Sequence, residues 1–391
     1  MRIDLRDSCR GHYIVGRAGM PCRRIRNSVE LQKLDAQNFR NLVELEMVPG
    51  AGMNVIFGEN AQGKTNLLEA IFVLSTVRSF RTRHLSEALQ FGETNSLLQG
   101  LAQIGQGKHH FGISIGEQDR HLMLDRKKVD ALQYIGTFNV FLFSYPLLEV
   151  IRGGPEERRR FLDRSISVSK SGYLQVLMHY HRAMKQKNVL IQKMQRNGMN
   201  RKEGVEEIRS FNQQLMQQGL EIVKQRASYV DDLQALLREK QSLFFDSEIR
   251  LGATLRSAFL APEQEVEAAL ERNIEREIAT GSCMLGIHRD ELRLTVNDRD
   301  LRKFGSSGQH RAFLLLLLLA QLEIYERRRQ DRPVLLLDDL DSELDRRRIE
   351  AFLEIIRNRY QTFISSSRPE LFSTGGEMRS WEIVSGRLLE R

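Results

Sequence analysis

Gly58-Glu59-Asn60-Ala61-Gln62-Gly63-Lys64-Thr65 fits the phosphate-loop pattern G-x-x-x-x-G-K-[ST] at every fixed position. In such a loop the backbone N–H groups wrap a β-phosphate, the lysine reaches the β- and γ-phosphates, and the threonine hydroxyl ligates Mg²⁺. Far downstream, the apolar run Val334-Leu335-Leu336-Leu337 ends in Asp338-Asp339. Asp338 is expected to hold the metal, directly or through water, and Asp339 to orient or deprotonate an attacking water; one of the two can instead cap the turn that follows. Between the two pieces lies Ser306-Ser307-Gly308-Gln309. A serine hydroxyl and free N–H groups at a helix start form an anion site, although alone such a string is only a cap. With the other two motifs present it reads as the signature of an ATP-binding cassette, which covers the γ-phosphate held by a second subunit. Lys64 and Asp339 are therefore the catalytic candidates, Thr65 and Asp338 the Mg²⁺ ligands, and ATP with Mg²⁺ the expected cofactors. Ser342-Glu343-Leu344-Asp345 stands where cassette proteins carry the D-loop that communicates across a dimer.

These residues need particular elements to position them. Met53 to Phe57 is a short apolar strand leading into the glycine loop, and Thr65 to Leu74 is helical, which supplies the strand-loop-helix context that the motif requires. Leu31 to Leu34 and Leu42 to Val48 alternate as half-buried strands do, and further strands are expected at Ser96 to Ile104, His110 to Ile115, His121 to Asp125 and Asn139 to Phe143. Pro155 with Glu156 and Glu157 behind Gly153-Gly154 marks a helix start. Apolar residues recur at helical spacing from Tyr173 to Met194 and again from Val205 to Gln241, and Asn197-Gly198-Met199-Asn200 between them is turn chemistry. This predicts an antiparallel helical hairpin whose period is nearer 3.6 than 3.5, unlike an extended coiled coil. The fold class is α/β, a cassette-type P-loop ATPase head with an inserted helical second domain. The expected division is a disordered extension over 1–30, the first part of the head over 31–150, a helical lobe over 151–283 and the rest of the head over 284–391.

Bulk properties set outer bounds. The 391 residues suffice for more than one lobe, and 41% apolar with 28% charged residues is ordinary for a globular chain. The apolar stretch Ala312 to Ala320 is about half of a membrane span, so it reads as a buried helix. No charged-then-apolar leader opens the sequence, and Cys9, Cys22 and Cys283 suit neither a disulfide framework nor a metal site, so a cytoplasmic setting and no membrane partner are expected. The net charge is +8, but residues 1–30 hold half of it, with seven Arg against Asp4, Asp7 and Glu30. Basicity is thus compatible with nucleic acid without requiring it. Met20 offers an alternative start.

Other charged candidates carry less. Arg78 and Arg81 in Arg78-Ser79-Phe80-Arg81 can contact phosphate or DNA, or lie in a solvated turn. Arg158-Arg159-Arg160 and Arg346-Arg347-Arg348 are expected as solvated helix faces. His288 is expected to be structural.

The chain resembles the RecF family of SMC/Rad50-like cassette ATPases from about Leu31 to Phe372. The resemblance rests on Asn38-Phe39-Arg40-Asn41, on Gly58 to Leu68 with Glu69-Ala70-Ile71, on Arg78 to Thr82, on Gly154 to Asp163, on Lys185-Gln186-Lys187-Asn188, on Gly286 to Asp290, on Ser306 to Arg311 and on Leu335 to Asp345. It implies an ATP-dependent homodimer that binds single-stranded, duplex and gapped or junction DNA. It also implies that the protein works with RecR and RecO in replication, recombinational gap repair and the SOS response, with slow ATP turnover. Asp339 is one methylene shorter than the glutamate usual in transporters, which would hold the water less closely. The sequence departs from the family at Ser144-Tyr145-Pro146, at Ile287 and at Ser365-Ser366-Ser367, where many cassettes have a switch histidine. An SMC or Rad50-like subunit of another DNA-processing complex would need far longer heptad arms. A transporter ATPase would place the signature much sooner after the phosphate loop, and a metabolic P-loop kinase would need neither the signature nor the D-loop. A nucleotide-gated scaffold differs only in whether hydrolysis matters.

Overall fold

A computed structural model describes residues 27–196, 200–372 and 378–391, with the side chains of Asn27, Ser342 and Glu343 outside the described set. Most of the extension expected over 1–30 therefore lies outside the described residues. Its last four residues do not behave as expected: they open β1 (Asn27–Phe39), Asn27 and Ser28 pairing with β12 (Asp331–Arg332), so order begins before Leu31.

Three sheets build the molecule. The first runs β12-β1-β4-β5-β6-β7, with β2 (Leu42–Met47) also on β1; β4 is Asn95–Ile104, β5 Gly107–Gly116, β6 Arg120–Leu124 and β7 Lys127–Val129. The second runs β16-β15-β3-β14-β13-β8, made of β3 (Met53–Phe57), β8 (Val140–Phe143), β13 (Val334–Leu337), β14 (Thr362–Ser366), β15 (Met378–Val384) and β16 (Arg387–Glu390). The third is small: β9 (Leu251–Arg256), β10 (Glu291–Val296) and β11 (Arg299–Asp300).

The second sheet is the centre because both of its faces are covered. Leu335, Leu337, Phe141, Phe143 and Val55 belong to the core shared with the helices, while Val334, Leu336, Val140, Leu142 and Ile56 belong to the core shared with the first sheet. Parallel strands buried on both sides read as unbroken apolar runs, which is why these strands are apolar throughout rather than alternating. Helix α1 (Lys64–Thr76) packs in the core of the first sheet. Small helices α2 (Ala131–Tyr134) and α3 (Glu149–Arg152) lead to α4 (Pro155–Ser169), which starts on its proline as its sequence predicts.

The hairpin is α5 (Tyr173–Gln195) and α6 (Arg201–Lys240), and α6 at 40 residues is ~60 Å long. Helix α7 (Glu263–Thr280) lies against both hairpin helices. After α8 (Leu301–Phe304), the leucine-rich α9 (Ser307–Arg329) is buried between α4, α6 and β8, so the apolar run is a core helix. No helix among the described residues is long and apolar enough to cross a membrane. Short α10 (Leu340–Glu343) and amphipathic α11 (Arg346–Ile356) join β13 to β14.

Candidate nucleotide site

The phosphate loop leaves β3 and enters α1. Gly58 has φ 146° and Gly63 φ 120°. A Cβ would stand 2.5 Å from the Ile383 carbonyl at Gly58 and 2.8 Å from Asn41 Oδ1 at Gly63, so both positions need glycine. Two hairpin turns grip the loop from outside. Asn41 Nδ2 donates to the Gln62 and Ala61 carbonyls at 3.0 and 3.4 Å. From the turn between β15 and β16, Ser385 N donates to Gln62 Oε1 at 2.5 Å and Gly386 N to the Gln62 carbonyl at 3.0 Å. Buried Lys64 donates to the carbonyls of Gly58 and Glu59 at 2.6 and 3.0 Å. All of these bonds but the one to Gln62 Oε1 use loop carbonyls, leaving the N–H groups as the donors a phosphate needs.

The distant second piece closes on the first. Thr65 Oγ1 donates to Asp338 Oδ1 at 2.9 Å, and Ser365 Oγ donates to the same oxygen at 2.7 Å. Parallel pairing of β13 with β14 and β8 sets this register, with Asp338 N donating to the Phe143 carbonyl at 2.8 Å. Burial pushes the Asp338 carboxyl above its ordinary range; the Ser365 hydrogen bond opposes this and the Asp339 charge adds to it. Asp339 is also pushed up by burial, with the Lys64 charge pulling back. Nearby, at the end of β8, the fully buried Ser144 Oγ has no hydrogen-bond partner among the described residues. A buried carboxylate facing a hydroxyl, beside an orphaned oxygen, is an all-oxygen donor set short of positive charge, and that fits Mg²⁺. Thr65 and Asp338 are the residues that would hold it.

The signature is displayed at the surface. Ser306 is the N-cap of α9, which begins at Ser307. Its hydroxyl accepts from Gln309 N at 3.2 Å, and Ser306 N donates to Gln309 Oε1 at 2.9 Å, a reciprocal capping box. Cap and signature are thus one structure, with Ser306 and Ser307 exposed and Gly308 half-buried beside them. Arg152 Nε donates to His310 Nδ1, so His310 Nε2 carries the proton and donates to the Leu301 carbonyl, fixing α9 to α3 and α8.

A family model described as RecF/RecN/SMC N terminal domain matches residues 30–385. The DNA replication and repair protein RecF of Geobacter sp. (strain M21) is 34% identical over 373 residues, spanning 93% of this chain and 100% of that protein. That of Staphylococcus carnosus (strain TM300) is 32% identical over 351 residues, 88% of this chain and 94% of the relative. The chain belongs to the RecF family. A solved structure of the recombination mediator RecF-ATP in the RecFOR pathway superposes with a TM-score of 0.83 at 28% identity, covering 93% of this chain and 100% of that one. The Smc head domain from Pyrococcus furiosus shares the fold, with a TM-score of 0.52 at 13% identity over 93% of this chain and 96% of that one.

Against this RecF frame the remaining site residues separate. Arg81 joins the nucleotide helix, donating to Asn66 Oδ1 at 2.6 Å and reaching Glu69 Oε2 at 3.3 Å. Arg78 and Arg81 both line a cleft between α1, β8, α4 and α9. In the D-loop, Asp345 is the N-cap of α11 and pairs with Arg348, Leu344 packs against the helical core, and the side chains of Ser342 and Glu343 lie outside the described set. Residues 158–160 are not a solvated run. Buried Arg158 donates to the Gly153 carbonyl and reaches Glu291, Arg159 donates to the Asp290 carbonyl, and only Arg160 pairs outward, with Glu156 and Glu157. In the second run, Arg346 pairs with Glu350 at the surface. His288, half-buried, lies 3.3 Å from the Cys283 carbonyl, and burial lowers its pKa, as suits a structural histidine.

Reading by motif missed the supports. Fully buried Glu69 takes the Arg40 guanidinium at 2.7 and 3.1 Å and Ser79 Oγ at 2.5 Å, tying the turn after β1 and the segment after α1 to the nucleotide helix. An ionisable residue inside the otherwise apolar helical run Leu67 to Val73 is the signal that could have flagged it. Ser365 stood out only as a departure from the switch histidine of many cassettes, with no role attached.

Proposed function

We propose that the chain is an ATP-binding DNA repair protein whose ATP-closed homodimer clamps DNA during replication, recombinational gap repair and the SOS response, together with RecR and RecO. The observation that carries the reading is the 2.9 Å bond between Thr65 and Asp338, which joins two pieces far apart in sequence into one nucleotide site. Family membership supplies the DNA context: the relatives are named DNA replication and repair proteins, and the matched structure is a recombination mediator named with ATP.

Lys64 and the loop N–H groups bind and orient the phosphates, while Thr65 and Asp338 would hold Mg²⁺, whose charge neutralises phosphate oxygens when it is bound. Asp339 accepts a proton from water, and burial raises its basicity for that task. Exposed Ser306 and Ser307 cover the nucleotide of the second subunit, so closure requires ATP and hydrolysis releases it. Titration of duplex, single-stranded and gapped DNA with and without ATP, at stated salt, tests this. Binding that tightens with ATP supports the clamp, and affinities that ignore ATP on all three DNAs overturn it.

A further inference from the structure

Helix α5 holds no Asp or Glu in 23 residues. The whole chain carries +8, of which residues 1–30 carry half; the four cations of α5 (Arg182, Lys185, Lys187, Lys193) equal the other half, leaving the rest of the chain balanced. Lys187 is turned inward and fully buried on Glu277 at 2.7 Å. It belongs to the packed face formed by Tyr173, Leu177, Tyr180, Ala183, Leu190, Ile191 and Met194.

The opposite face is different. Steps of three or four residues connect Arg182, Lys185, Val189, Lys193 and Arg196, which keeps them on one line of the helix and its C-terminal turn. All five are exposed. Among the described residues, Arg182, Lys185, Lys193 and Arg196 make no ion pair, whereas on the neighbouring α6 Arg201 pairs with Glu275 and Arg209 with Glu206 and Glu271, and the unpaired Lys202, Lys224 and Arg238 stand among acidic residues of their own helix. Holding unpaired cations on one acid-free face costs self-repulsion, and a polyanion relieves it.

The spacing suits a duplex. Arg182 to Arg196 spans ~21 Å at 1.5 Å per residue, and B-DNA presents a negative charge about every 1.7 Å along its axis. The pairs Arg182/Lys185 and Lys193/Arg196 are separated by ~12 Å, comparable to a major groove about 12 Å wide, so each pair can meet phosphates on its own side of the groove. We propose that the outward face of α5 is a duplex-DNA backbone surface, read by charge and not by sequence. This rests on the DNA-binding reading above and assigns it a location.

The test replaces Arg182, Lys185, Lys193 and Arg196 together by Gln in the full chain, with Arg272→Gln/Arg276→Gln on acid-rich α7 as a comparison that removes two cations from another face. Duplex affinity is measured with ATP across a salt series, alongside thermal midpoint and ATP affinity. The salt slope of the quadruple variant falls by about 0.9 for each phosphate that is no longer neutralised, or ~3–4 in all, with ATP binding and thermal midpoint unchanged and the α7 variant like the parent. An unchanged slope in the quadruple variant, or an equal fall in the α7 variant, overturns the assignment; so does impaired binding of an acidic protein partner with DNA binding intact. A parent protein that does not bind duplex at all defeats the DNA-binding reading itself, a separately visible result.

Discussion

One serine oxygen holds two consecutive aspartates in different ways. Ser365 Oγ donates to Asp338 Oδ1 and accepts from the Asp339 N–H at 2.9 Å, which fixes the carboxylate proposed to hold the metal and the backbone of the proposed base together. Asp339 has φ 50°, a left-handed conformation that costs a non-glycine residue about 1–2 kcal/mol and persists where surrounding bonds enforce it. Asn tolerates the same conformation, so Asp339→Asn removes the base with little change to the backbone. Hydrolysis should fall on the order of 10²–10⁴-fold, and the ATP-bound DNA complex should live longer. Dissociation from DNA followed under ATP reads this directly, and faster release would remove Asp339 from its role. That Thr65 and Asp338 would be brought together was legible because the phosphate-loop and apolar-strand motifs fix their types and spacing. Ser365 was not, since serine is common at strand ends and its partners are set by the register of β14 beside β13.

At the scale of elements, buried Arg226 on α6 joins three segments. It donates to both Asp163 oxygens on α4 at 2.8 and 2.9 Å, to Asp290 Oδ2 at 2.6 Å and to the Ile287 carbonyl at 2.9 Å. The turn carrying Asp290 enters β10, and the chain then passes through β11 and α8 to the signature. The hairpin is thereby fixed to the segment that displays Ser306 and Ser307. Arg226→Ala strands buried Asp290 and leaves part-buried Asp163 without its cation, and should cost about 3–5 kcal/mol, seen as a lower urea midpoint; a loss below about 1 kcal/mol would show that water replaces the guanidinium. The hairpin itself was legible, because helical periodicity over such lengths admits few readings. The partners of residues 158–160 were not. A basic run looks the same in sequence whether it meets solvent or, as Arg158 and Arg159 do, the turn around Asp290. The strand β9 was also hidden, its few alternating residues being too short a signal beside a long helix.

For the whole molecule, the central sheet divides two cores, one with the antiparallel sheet and one with the helical lobe, and the nucleotide loop sits at the carboxyl ends of its strands. That architecture follows from the sequence because unbroken apolar strands demand cover on both faces. Which surfaces meet another copy is not written in any one chain's packing. Here the exposed signature supplies the argument: among the described residues, the side chains of Ser306 and Gln309 hydrogen-bond only within their own cap, so the turn is open to serve a nucleotide elsewhere. In the proposed dimer each site is completed by the partner's signature. Ser307→Arg places a bulky side chain on that exposed turn without touching the phosphate loop. Sedimentation with ATP, run beside ATP titration and with Lys64→Ala as the nucleotide-binding control, is the most direct test. Ser307→Arg is expected to bind ATP with the affinity of the parent protein but to stay monomeric, while the parent dimerises. Ser307→Arg that dimerises normally with ATP, or that loses ATP binding as a monomer, would contradict it.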